Sequence, residues 1–364
     1  MPDPSLIDRN PKFLTGVRFM TSTRRTLLLA LAAIGLALPL GHATPAVAET
    51  KLKMVLNWKY QGPQGWFFLA QDRGYFKKAG IDLSMDQGNG SGAPIPLVAS
   101  GTYDVGFGDI NALIQFAAQK PEEAPIAVYV LYNQPPFTIA VRADSSIKTP
   151  KDLEGKTLGS APGDGALKLF PAFCKIAKID CSTIKITTFQ PNLREQMLMN
   201  KQVDGVFGYV NTIRFSAKLM HVGDNEIRYI KYGDYGMDLY SNAIIVSKKL
   251  TKEHPEVVRG LIAAINHGIE DSLKDPAAAI DAVAKREPLI NKTVERERFD
   301  ATLRDEMDSP EIKKIGLGNV DKARLKKSIE ILVEAQKLPR TPTVDEIYTD
   351  KFMPPVAELP KKLF

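Results

Sequence analysis

The sequence predicts an α/β protein of two similar lobes joined by two crossing segments. Three observations predict it. From Lys51 to Asn111 short apolar runs alternate with helical patterns, strand–helix–strand–helix–strand, and such alternation favours a parallel sheet. A second series of the same kind starts after Phe137–Arg142. Finally, SGTYDVGFGDINALI in the first half is echoed by NKQVDGVFGYVNTIR in the second: a helix end, a turn, an Asp, a strand, then an Asn opening a helix.

In chain order, Lys51–Asn57 sets Leu52, Met54 and Leu56 against Lys51 and Lys53, a strand period. Trp66–Lys78 puts Trp66, Leu69, Ala70, Tyr75 and Phe76 on one face of a single helix stopped by Gly80, with Trp66 in the core. IDLSMD is a strand, QGNGSGAP a loop, IPLVASG a helix, YDVGFGD a strand, and Ala112–Gln119 a helix cut by Pro121. Phe137–Arg142 is the candidate first crossing between lobes. A strand at Thr157–Gly159, the loop Ser160–Gly165, a helix Ala166–Lys178, the strand IKITTF, the helix PNLREQMLMNKQ, the strand VDGVFGYV and the helix NTIRFSAKLM follow. After an aromatic loop with Tyr232, Tyr235 and Tyr240, Asn242–Ser247 is expected to cross back and pair near Phe137–Arg142. From Thr251 the chain is helical, with Pro255 and Pro276 at helix starts, where a missing N–H costs nothing. Residues 338–364 are Pro- and Lys-rich and are expected to lie along the surface.

NWKYQGPQGWFFLAQDRGYFKKAGIDL, followed by LVASGTYDVGFGD, resembles the solute-binding proteins of ABC importers for taurine, alkanesulfonates, nitrate and thiamine-pyrimidine precursors. The match is tight over about sixty residues and looser from Lys51 to Lys351. The resemblance implies the type II periplasmic binding fold, with a ligand held between two lobes and an inner-membrane permease as partner. It sets domain limits of 49–138 and 241–337 for the first lobe with the C-terminal helices, 139–240 for the second, and 338–364 for a tail.

Composition fits this expectation. The chain has 364 residues, 44% hydrophobic and 25% charged, enough for two lobes with real cores. Residues 1–48 carry Arg24-Arg25, the apolar run LLLALAAIGLALPL and AVA ending at Ala48, the pattern of a cleaved export signal. The arginine pair leaves twin-arginine export open beside the ordinary route. Residues 1–19, ahead of Met20, are expected to be an upstream extension. The expected location is therefore the periplasm. Five basic and two acidic residues lie in 1–48, so much of the formal charge of +6 leaves with the signal. No basic stripe with interleaved aromatics remains, which argues against nucleic acid as a partner. A monomer is expected. Cys174 and Cys181 form a disulfide or stay as two buried thiols; an exported chain favours the bond. The spacing of Cys and His suits no metal, and no cofactor is expected.

Open α/β sheets bind ligands beyond the carboxyl ends of their strands. The residues at such ends, or on the loops beside them, form the candidate ligand set: Asn57, Trp58, Gln61, Gly90, Ser91, Asp109, Asn111, Asn133, Asp164, Tyr209, Asn211 and Tyr235. Several have a structural alternative. Asp164 faces the cleft or caps the helix after it, Asp109 and Asn111 orient a ligand or cap theirs, and the glycines of Gly88–Gly92 let a ligand approach the backbone or simply connect. Trp58 is a stacking platform or a lid over the core, and the family resemblance favours stacking. Asp109 and Asp164 are expected on matching loops of the two halves.

For catalysis the residues offer little. His42 goes with the signal, and His221, His254 and His267 fall away from the predicted rim. Same-fold desulfinases use a cysteine, and same-fold pyrimidine synthases use a histidine and a cysteine-rich motif. Here neither cysteine is on a rim loop. The expectation is a binding protein with no catalytic residues, not an enzyme. Of the arginines only Arg142 and Arg214 come near the rim, both expected off the site, while sulfonate or nitrate calls for dense N–H or basic contacts. The expected ligand is a flat, pyrimidine-like heteroaromatic. A sulfonate, taurine or nitrate carrier and a same-fold enzyme are the alternatives.

Overall fold

A computed structural model describes residues 49–363. The expected export signal, the expected extension ahead of it and the expected cleavage near Ala48 lie outside the described residues. The first series runs β1 (Thr50–Val55), α1 (Gly65–Asp72), α2 (Tyr75–Lys78), β2 (Ile81–Asp86), α3 (Pro94–Ala99), β3 (Val105–Asp109), α4 (Ile110–Gln119) and β4 (Ile126–Val130). The second runs β5 (Phe137–Arg142), β6 (Thr157–Ser160), α5 (Gly165–Ala177), β7 (Lys185–Thr188), α6 (Arg194–Met199), β8 (Gly205–Tyr209), α7 (Val210–Leu219) and β9 (Ile227–Lys231). Then β10 (Asn242–Val246) returns to the first sheet, and helices follow: α8 (Lys248–Glu253), α9 (Pro255–Lys274), α10 (Pro276–Ala284), α11 (Lys292–Thr302), a π turn (Leu303–Met307), α12 (Pro310–Ile315), α13 (Lys322–Gln336) and α14 (Val344–Ile347).

The two sheets have orders β2-β1-β3-β10-β4 and β7-β6-β8-β5-β9. This is the type II periplasmic binding fold in two α/β lobes. In each, the first three strands in sheet order are parallel, and the fourth, β10 or β5, is antiparallel to both neighbours. Sequence pattern follows position: edge strand β2 alternates buried and exposed residues, while β3 (VGFGD) and β8 (GVFGY) are buried throughout, as strands covered on both faces must be. The echo has an exact structural counterpart at its Asp. Asp104 exchanges two hydrogen bonds with Lys53 of β1, and Asp204 does the same with Thr157 of β6, all at 2.8–2.9 Å.

Several expectations change. The helix expected over Trp66–Lys78 is two, because Gly74 takes a left-handed backbone (φ +71°) and ends the first. Trp66 is fully buried between Phe67 and Phe299. The first crossing is the stretch between β4 and β5, not β5 itself, which is interior to the second sheet. β10 crosses back but pairs with β3 and β4 rather than with Phe137–Arg142. The two crossings meet each other: the Leu131 and Tyr132 N–H groups donate to the Asn242 carbonyl, and Ser241 N–H donates to Tyr132 at 2.8 Å. The tail does not merely lie on the surface, for Tyr348 is buried, bridges Ala127 of β4 and donates its hydroxyl to the Gly318 carbonyl. Cys174 and Cys181 are bonded, their Cα atoms 6.0 Å apart. Two C-terminal helices straddle the lobes: α11 packs on α7 and α10, and α13 packs on α4 and α5.

Candidate functional site: the cleft between the two sheets

The loops that leave β1, β2 and β3 face those that leave β6, β7 and β8. Their seam is backbone against backbone. Gly92 N–H donates to the Gly163 carbonyl at 2.9 Å. Gly90 has φ +129°, and any side chain there would collide with the Gly163 carbonyl. Within the seam are two small cavities of about 10 Å³ each, each room for roughly one water. Asn57, Trp58, Ser91, Asp164, Arg194, Tyr209 and Thr212 line the first. The second shares Asn57, Trp58, Tyr209 and Thr212 and adds residues such as Gln61, Tyr132, Asn211, Arg298 and Glu306.

From the first lobe, Asn57 accepts a hydrogen bond on Oδ1 from Gln64 at 2.9 Å, which fixes the loop leading to Trp58. Trp58 is 8% exposed and carries the Arg194 guanidinium over its ring, 4.9 Å from the centroid, a cation–π contact. Arg194 opens α6 and donates through Nε and Nη2 to Glu195 at 2.9 and 2.6 Å. Its Nη1 lies 4.0 Å from Asp164. Asp164 meets both readings given above: Oδ1 caps α5 through Ala166 N–H at 2.8 Å, and the other oxygen faces Arg194. Asp109 caps α4 through Asn111 N–H at 3.1 Å, and its Oδ2 has no hydrogen-bond partner among the described residues. Ser91 Oγ is likewise buried without a partner there. The Tyr209 hydroxyl bonds Ser241 at 2.7 Å and Asn242 at 2.9 Å, tying the second lobe to the returning strand.

The electrostatics favour acceptors that hold their protons. Burial pushes the Asp109 carboxyl up to about 7, against its bonds from Asn111 and with Asp164 adding to the rise. Burial also raises Asp164, with the Arg194 charge and the α5 N–H groups opposing. On the second cavity burial pushes Glu306 up to about 8, Asp305 adding and Asn211 and Arg298 opposing. Among the described residues no group of three or more His, Cys, Asp and Glu is placed to hold a metal ion.

Of the candidate set, Asn57, Trp58, Gln61, Ser91, Asp164, Tyr209 and Asn211 line the two cavities. Gly90 forms the seam, and Asp109 lies beside it: a side chain added at Gly165 would stand 3.2 Å from its free oxygen. Asn111 is turned inward, its amide donating to Asp109 at 2.8 Å and to the Tyr240 carbonyl at 2.6 Å. Asn133 anchors the first crossing to the π turn through the Met307 carbonyl. Tyr235 is outside the cleft, 37% exposed and edge-on to Phe173, because the turn after β9 points away from the rim. Asp109 and Asp164 are not on matching loops. Asp109 ends β3, whose counterpart β8 ends in Tyr209, whereas Asp164 follows β6, the counterpart of β1. The expected lack of arginines fails as well. Arg142 and Arg214 do sit off the cleft, paired with Asp144 and Asp224, but Arg194 and Arg298 line it. The strand-end rule was the available signal for Arg194, since it opens the helix that follows β7.

Fold and cleft together define the periplasmic binding fold, two α/β lobes with a cleft between them. The chain belongs to the NMT1/THI5-like family, whose profile matches residues 65–279. It is 21% identical over 256 residues to a 4-amino-5-hydroxymethyl-2-methylpyrimidine phosphate synthase of Legionella pneumophila, covering 70% of this chain and 79% of that one. It is 22% identical to the riboflavin-binding protein RibY of Chloroflexus aurantiacus, over 89% of this chain and 91% of the other. In fold it resembles the alkanesulfonate-binding protein SsuA of Xanthomonas axonopodis pv. citri bound to MOPS, with a TM-score of 0.63, 17% identity, and coverage of 83% and 99%. The expectation that this chain is not an enzyme is thereby overturned: synthases of the same name recur among its relatives, in Schizosaccharomyces pombe as well, so family membership does not separate carriers from enzymes.

Proposed function

We propose that the cleft captures a small, flat nitrogen heteroaromatic, pyrimidine-like, between its two lobes, and that the exported protein presents it to an inner-membrane ABC permease. The observation that carries the reading is the excess of buried acceptors around an aromatic platform. Asp109 Oδ2 and Ser91 Oγ lack partners among the described residues, Asp164 shares its nearest cation with Glu195, and Trp58 supplies a ring face. Such a site suits a ligand that donates N–H and stacks. Contacts from both lobes give the closed form its differential affinity, which closure requires. The cavities are far smaller than such a ligand, so the lobes part, or Arg194 leaves the Trp58 face, when it binds.

A sulfonate-type anion is the second reading, favoured by Arg194 and Arg298 on the cleft wall. It is weakened because each arginine already pairs with a buried glutamate, Glu195 and Glu295. Mass spectrometry of small molecules released from the purified, denatured protein tests the choice. A nitrogen heteroaromatic at near-stoichiometric yield is the expected result, and a sulfonate contradicts it.

A further inference from the structure

Glu306 is a buried acid that neither the fold nor the site described so far accounts for. It sits in the π turn after α11, and π turns recur at functional sites. The residue is 4% exposed, and its Oε1 has no hydrogen-bond partner among the described residues. Its backbone carbonyl accepts from Asn133 and Gln134 N–H at 3.0 and 3.1 Å, so it is fastened to the first crossing between lobes. It lines the second cavity together with Tyr132 of the first crossing and Asn211 of the second lobe. Arg298, on the same wall, is engaged by Glu295 through Nε and Nη2 at 3.0 and 3.2 Å. Trp58 and Tyr209 border both cavities, so one ligand ring can touch both.

We propose that Glu306 is a ligand-recognition residue, its carboxyl receiving the amine-bearing edge of a ring that lies against Trp58. This rests on the cleft-capture reading and names the edge of the ligand that reading leaves open. Its carboxyl is pushed up to about 8, chiefly by burial, which favours the protonated form at neutral pH. A protonated carboxyl offers one donor and one acceptor side by side. An aminopyrimidine edge offers the reverse, a ring nitrogen beside an N–H, so the two form a paired contact that a sulfonate cannot. Because the Glu306 carbonyl holds Asn133 and Gln134, occupancy of this subsite bears directly on the segment about which the lobes move.

The test is calorimetric titration at neutral pH with two probes, 4-aminopyrimidine and 4-methylpyrimidine, the second lacking the N–H donors. Glu306→Leu is expected to weaken the amino probe by about tenfold or more and the methyl probe by less than about threefold. Glu306→Gln keeps a donor and an acceptor and is expected to stay within about threefold of wild type for both. No loss in Glu306→Leu, or equal loss for both probes, overturns the proposal. Trp58→Ala separates it from the cleft reading. If Trp58→Ala weakens both probes while Glu306→Leu changes neither, the cleft stands and the subsite falls; if neither variant matters, or wild type binds neither probe, both fall. Should Glu306→Leu fail to fold, a crystal structure of the wild type with 4-aminopyrimidine decides: an amine within hydrogen-bond reach of Glu306 supports the subsite, and a ligand confined to the Asp164 side overturns it.

Discussion

The two lobes share a sheet order, an antiparallel strand in the fourth place and an Asp that clips the third strand to the second, Asp104 in one and Asp204 in the other. At the rim they part. Where β3 ends in Asp109, a buried acid with a free oxygen, β8 ends in Tyr209, a phenol bonded to Ser241 and Asn242. One step on, Asn111 is turned into its own lobe while Asn211 faces the cleft. The first lobe brings the Trp58 platform, and the second brings the arginine that covers it. The difference teaches that a repeated topology repeats the places where rim residues stand but not their chemistry. The residues at equivalent strand ends are complementary, so copying a role from one lobe to the other misleads.

The largest effect is expected where the rims touch. Gly90→Ala puts a side chain into the Gly163 carbonyl of the opposite lobe and strains a backbone at φ +129°. It should block closure and weaken ligand on the order of a hundredfold. Small-angle scattering should show ligand-dependent compaction in the wild type and none in the variant; equal compaction would mean the glycine seam is not the closing contact.

Next in size is Arg194→Ala. It leaves Glu195, 5% exposed, without its cation, and removing one partner of a buried pair costs about 3–5 kcal/mol. Thermal melts should show a large loss, and Arg194→Ala with Glu195→Ala should recover part of it. If the single variant melts like wild type, the pair is not buried as described, and the cover that the second lobe places on Trp58 is absent.

The residues that made the second effect hard to foresee show where sequence reasoning stops. Strand ends, helix caps and the echo are local signals, and Asn57, Trp58, Asp164 and Tyr209 were legible from them. Arg194, although it opens the helix that follows β7, and Glu306 were not read as site residues. Both lie in stretches, PNLREQ and TLRDEM, that read only as parts of helices. What buries Arg194 is Trp58 of the other lobe, 136 positions away, and what buries Glu306 is the first crossing and α7. No short-range pattern carries either contact. The misplacement of β10 has the same origin, because a returning strand chooses its partners by topology.

A smaller effect contrasts Asp109 with its counterpart Tyr209. The Asp109 carboxyl stands at about 7 in the folded protein against an ordinary 3.8. The native state therefore keeps a proton that the unfolded chain gives up, and the stability this confers is full below about pH 4 and lost as pH rises through about 7. Asp109→Asn keeps the oxygen that caps α4 and cannot ionise. It should melt several degrees above wild type near pH 8 and show no advantage near pH 4. A gain of equal size at both pH values would contradict the buried, proton-holding carboxyl.

The central claim is capture of a flat nitrogen heteroaromatic against Trp58 between the lobes. Calorimetric titration of 4-amino-5-hydroxymethyl-2-methylpyrimidine into the wild type and Trp58→Ala tests it most directly. Stacking on an aromatic side chain is worth about 1–3 kcal/mol, so the variant should bind on the order of ten- to a hundredfold more weakly while its fold survives. Unchanged affinity in Trp58→Ala, or no binding to the wild type, would contradict the account.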